Sequence, residues 1–233
     1  MNHKRLEDLL SLFRRYGEFS VNHNAYTAKI FLWAARLTWS NNKRKLFIVR
    51  IFCEMMQSCE NVVRLLRVLH DRSTNPFENL LKRDKGDLSY DVLSKELEII
   101  KTFEQDPIRF CKEYLLIIPL DNGSEEKNRA ILRGIWLGVI AALNNMLASP
   151  KNVNRVLWEI YNKLKHGSPV FNKDARDCVV IYIEPDKPIE FPTTLMDGRI
   201  WTETTIALRH TMFNLTKLIH DALQATNNLR IVK

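Results

Sequence analysis

Apolar residues recur at three- and four-residue spacing along most of this chain, the pattern of helices that bury one side. Over 4–15, Leu6, Leu9, Leu10 and Phe13 share one stripe, and Gly17 is expected to break that helix. A second helix is expected over 19–40, with Ile30, Trp33 and Leu37 facing inward and Ala34 beside them. Asn41-Asn42 ends it. The longest continuous pattern runs over 43–71. There Leu46, Val49, Ile51, Phe52, Met55, Met56, Val62, Val63, Leu66 and Leu69 fill the apolar side. Ser73-Thr74-Asn75-Pro76 reads as a loop. A short helix over 76–82 and a polar, exposed stretch over 82–87 follow.

Further helices are expected over 88–104, over 107–116 with Pro107 at a first helical position, and over 124–148 with Ser124 as N-cap. Pro119 and Asp121-Asn122-Gly123 make the turn between the last two. Gly134 and Gly138, four apart, suit close packing of a neighbouring helix. A helix over 151–166 meets Gly167, a natural C′ residue. The strand signal follows: Cys178 to Ile183 is β-branched and aromatic, Glu184 to Lys187 is a turn, and Pro188 to Phe191 is the return strand. A lone hairpin is marginal and must lean on helices. The last helix, 201–228, turns Ile206, Leu208, Met212, Leu215, Leu218, Ile219 and Leu223 inward. The expected fold is all-α, a bundle of about six to eight helices with one small β-hairpin at about 178–191. It is read as a single domain over 1–233, in which helices of about 1–120 elaborate a core of about 124–228.

Composition agrees. The chain has 233 residues, 45% of them hydrophobic, with only 7 Gly and 8 Pro, which favours long helices over a sandwich or barrel. The formal net charge of +8 is compatible with nucleic acid or an anionic surface, although no dense basic tail is present. Lys43-Arg44-Lys45 reads as a solvated helix start ahead of a phosphate contact. Cys53, Cys59, Cys111 and Cys178 form no Cys-x-x-Cys pair, so neither a zinc site nor a disulfide framework is suggested, and a cytoplasmic protein with reduced thiols fits. The N-terminus lacks the apolar core of a signal peptide. The most apolar run, residues 134–143, is too short to span a bilayer, so no membrane is expected.

Candidate chemistry gathers at the end of the 151–166 helix. At about 100° per residue, Val153, Leu157, Ile160 and Leu164 form its core stripe, and Arg155, Glu159, Asn162 and His166 line the opposite side. Asn162 and His166 are one turn apart. Trp158 lies beside this polar line, suited either to stacking on a base or to helix packing. Arg64 and His70 repeat an Arg-to-His spacing by chance. His210 and His220 lack carboxylate partners at helical spacing, and no metal motif, phosphate loop, nucleophile elbow or carboxylate pair is found.

Tyr161-Asn162-Lys163-Leu164-Lys165-His166-Gly167 resembles the signature of HEPN domains (higher eukaryotes and prokaryotes nucleotide-binding). That signature is an arginine, a polar residue, and a histidine four to six positions beyond the arginine, late in an all-α bundle. The resemblance implies a homodimer whose two motifs meet in a cleft. It also implies RNA as ligand, metal-independent ribonuclease chemistry without a cofactor, and a toxin–antitoxin or phage-defence setting with a cognate antitoxin or other partner protein. Asn162 then takes the polar position and His166 the histidine, acting as general acid or base on the ribose 2′-hydroxyl. Lys163, Lys165, Arg155 and Trp158 would contact nucleic acid. Tyr161 stands where the family carries its arginine and offers no cation to a phosphate in the transition state. Arg155 lies roughly 16 Å from His166 along the helix axis, too far to substitute within one copy, so a cleaving enzyme would need a lysine in the arginine's place, or Arg155 or Lys165 from a symmetric partner. The alternative is a non-catalytic dimerising or adaptor bundle with a degenerate motif. A basic DNA-binding helical protein is weaker still, since no helix-turn-helix signature is found.

Overall fold

The computed structural model describes residues 3–70, 75–81, 151–172 and 177–231, with isolated positions 95, 98, 109, 113, 126 and 130. The helices expected over 88–104, 107–116 and 124–148 therefore lie largely outside the described residues, as do the Gly134/Gly138 pair and Cys111. The described elements are α1 (His3–Leu12), a π-helical turn (Phe13–Glu18), α2 (Phe19–Leu37), α3 (Asn41–His70), α4 (Pro76–Leu81), α5 (Lys151–Lys165), β1 (Val170–Asn172), β2 (Cys178–Glu184), β3 (Lys187–Pro192) and α6 (Leu195–Ile231). The protein is mostly helical, with a small antiparallel sheet before the last long helix, as expected. Among the described residues no helix is long and apolar enough to cross a membrane.

The chain forms two compact units. One combines Met1–Val21, Glu60–Ile140 and Leu208–Lys233; the other combines Asn22–Cys59 and Ala141–Ala207.

In the first unit, Leu6, Leu9, Leu10 and Phe13 are buried as the periodicity predicts, with Val62, Val63, Leu66, Leu69, Leu208, Met212, Leu215, Leu218 and Ile219. α1 packs on α4. Gly17 does not break the helix. The backbone stays right-handed helical at both Leu12 and Phe19, and the turn between them is π-wound. A Cβ at Gly17 would lie 2.8 Å from both Leu65 Cδ1 and Met212 Sδ, so the glycine is there for a close approach.

In the second unit the sheet runs β1-β2-β3. Pairing of Val179 with Phe191 and of Ile181 with Ile189 sets one face inward. Phe171 and Tyr182 meet edge-to-face on the outer side, centroids 5.4 Å apart. The hairpin falls where it is expected, and β1 adds a third strand, pairing Val170 with Ile181. Phe52, Phe191 and Trp201 form a cluster with centroids 4.7–5.3 Å apart, which anchors β3 to α3 and to the start of α6. Lys45 does not lie on a solvated helix start: it is 1% exposed, and its Nζ donates to Asn172 Oδ1 at 2.9 Å, tying α3 to β1.

Two boundaries and one face differ from expectation. α2 ends at Leu37, and Ser40 caps α3, its Oγ accepting from Lys43 N–H at 3.4 Å. α6 starts at Leu195 rather than 201. Thr194 Oγ1 accepts from Asp197 N–H at 3.1 Å, and Asp197 Oδ2 accepts from Thr194 N–H at 3.1 Å, a reciprocal capping box. The inward face of α2 carries Ala25, Ala28, Leu32 and Ala35, while Ile30, Trp33 and Leu37 are exposed. Small side chains let that helix pack closely, and the bulky stripe is left outside. Leu46, expected inward, is also exposed.

Candidate functional site

α5 carries the predicted site residues and packs against β2. Its C-terminal end is a Schellman turn. Gly167 adopts φ +81°, its N–H donates to Leu164 O at 3.1 Å, and Ser168 N–H donates to Lys163 O at 2.9 Å. His166 N–H still closes the last helical bond to Asn162 O at 3.1 Å. The carbonyls of Asn162, Lys163 and Leu164 are thus met by backbone donors.

Around this turn Lys163, Lys165 and His166 are exposed and Asn162 and Glu159 are half-buried. Asn162 and His166 share a line at i, i+4, with Lys163 beside it. Lys165 lies on the other flank, its Nζ 5.7 Å from the centroid of the Tyr161 ring. Arg155 belongs to the helix, but its side chain lies outside the described residues. Trp158 is 4% exposed and packs edge-to-face on Tyr161, centroids 5.7 Å apart, so its ring serves packing in this conformation. Its Nε1 is buried without a partner among the described residues.

Tyr161 explains the local sequence. It is 2% exposed, and its hydroxyl donates to Gln57 Oε1 on α3 at 2.9 Å. The buried face of α5 is centred on Trp158, Ile160 and Tyr161, one step round from the expected stripe, whose Leu157 and Leu164 are half-buried. Nothing in the sequence points to Gln57, 104 residues away along the chain.

A second polar cluster lies in the first unit. Arg64 pairs with Glu60, whose side chain is 2% exposed, and Tyr16 donates to Asn61 Oδ1 at 3.1 Å. Burial pushes the Tyr16 phenol up, and the Arg64 guanidinium partly offsets it. Arg64 is thereby bound into a structural ion pair, and the His70 side chain lies outside the described residues. Burial also pushes the Cys53 and Cys59 thiols up to about 12, which removes thiolate chemistry at both near neutral pH. No group of three or more His, Cys, Asp or Glu suited to a metal occurs among the described residues.

Compared with known proteins, the chain matches no family model, no curated protein and no solved structure.

Proposed function

We propose that this chain is a HEPN-like helical protein that holds RNA at the C-terminal end of α5 and does not cleave it, in a toxin–antitoxin or phage-defence setting. One observation carries the binding half. Cations at a helix end commonly serve to satisfy its carbonyls, but here the carbonyls of Lys163 and Leu164 already accept backbone N–H donors. Lys163 and Lys165 are both exposed at this end, with Glu159 one turn before Lys163. Exposed lysines at a helix end suit a phosphate backbone, with Asn162 and His166 on one line beside them. The non-cleaving half rests on Tyr161. The position that would present a cation to the scissile phosphate is buried and bonded to Gln57.

The test is binding and cleavage of labelled single-stranded RNA in the presence of a chelator. Wild type should bind without cutting, and Lys163→Gln with Lys165→Gln should weaken binding and flatten its salt dependence. Cleavage by wild type that His166→Ala abolishes would overturn the non-cleaving half and make His166 a general acid or base. No binding by the folded protein would overturn the proposal and leave the dimerising or adaptor reading.

A further inference from the structure

Resting on the RNA-binding reading, we propose a second contact surface for single-stranded RNA, the outer line of α2 and the turn beyond it. Tyr26 and Trp33 are 67% and 66% exposed there, with Ile30 and Leu37 exposed between and beyond them, and Trp39 is fully exposed in the turn. Large apolar side chains left in water along one helix line are unusual. Each ring is followed by a cation. Tyr26-x-x-Lys29 and Trp33-x-x-Arg36 repeat seven residues apart, and Trp39 precedes Lys43. Lys29, Arg36 and Lys43 are all exposed. At i, i+3 the cation is the ring's neighbour on the helix surface.

The charge of the face has a single sign, because no Asp or Glu occurs between Glu18 and Glu54. Rings flanked on one side by cations take bases on the rings and phosphates on the cations. Each seven-residue repeat rises about 10 Å, which suits an extended, unstacked strand and not the 3.4 Å steps of a duplex. A helical protein partner is the rival occupant. It fits less well, because Lys29 and Arg36 follow one flank of the stripe only and Thr27 and Ala34 occupy the other.

The experiment is fluorescence anisotropy with a fluorescein-labelled single-stranded RNA of about 12 nucleotides and with the same sequence as a duplex. The proteins are wild type, Trp33→Leu with Trp39→Leu, Lys29→Gln with Arg36→Gln, and the α5-end variant Lys163→Gln with Lys165→Gln. Leucine keeps the exposed positions apolar and removes only the stacking ring, and circular dichroism verifies the fold. The leucine variant should lose roughly ten-fold or more in affinity for single-stranded RNA, and wild type should bind the duplex more weakly. Unchanged affinity in the leucine variant, with loss in the α5-end variant, would overturn this inference and keep the α5 reading. The reverse pattern would keep this surface and overturn the α5 site. Equal binding of duplex and single strand, or a leucine variant altered only in sedimentation and not in RNA affinity, would overturn the stacking surface.

Discussion

Tyr161 decides more than any other single residue of the α5 end. Its hydroxyl bond to Gln57 and its ring contacts with Trp158 and Lys165 make it a packing residue. Tyr161→Phe keeps the ring and removes the hydrogen bond to Gln57 Oε1, so thermal unfolding should show a loss of about 1 kcal/mol. Tyr161→Arg would force a guanidinium into the same space and should cost several kcal/mol, with no nuclease activity gained. A stable, cleaving arginine variant would sink this account of the position. The sequence shows which residue type stands here, but the hydroxyl's partner is set by tertiary contact. Gly167 is the opposite case. Its left-handed conformation is a local property of a helix end, and so it is readable from sequence alone.

Among the elements, α6 shows what a helix start needs. Gly198 in its first turn and Pro192 just before it blur the pattern. The Thr194/Asp197 box nonetheless sets the boundary. Thr194→Ala should lower stability by about 1 kcal/mol in denaturant unfolding, with an unchanged slope. An altered slope would mean that more than the cap is lost. α2 shows the limit of reading periodicity. Its sequence carries two apolar lines, one of bulky residues at Tyr26, Ile30, Trp33 and Leu37 and one of alanines at Ala25, Ala28 and Ala35 with Leu32 among them. Weighting by hydrophobicity selects the bulky line, whereas packing selects the alanine line. Gly17 misleads for a related reason: its missing side chain serves an approach of other elements, which spacing along one helix does not reveal.

For the whole molecule, one contribution to the pH dependence of stability comes from Glu54. Its carboxyl is buried and pushed up, with the Arg50 guanidinium 2.9 Å away only partly offsetting burial. Ionising it therefore costs the folded chain more than the unfolded one. Its contribution to stability is full below the unfolded value of about 4.3 and is lost as pH rises through the raised one. Glu54→Gln, always neutral, should gain in melting temperature relative to wild type between about pH 4 and pH 7. A difference that stays flat across that range would contradict the burial assignment. The overall class, helices with one small hairpin before the last, is legible because it rests on local periodicity; the division into two units is not, because segments far apart in sequence form each one. That division bears on birth order at the ribosome. The N-terminal helix shares its unit with Leu208 and everything after it. At roughly 5–20 residues per second, that segment follows α1 by on the order of 10–40 s, while Glu60–Ile140 of the same unit is made earlier. Before Leu208 is made, α1 already has α4 to pack on, so the nascent unit lacks only its last segment and is completed by the arrival of α6.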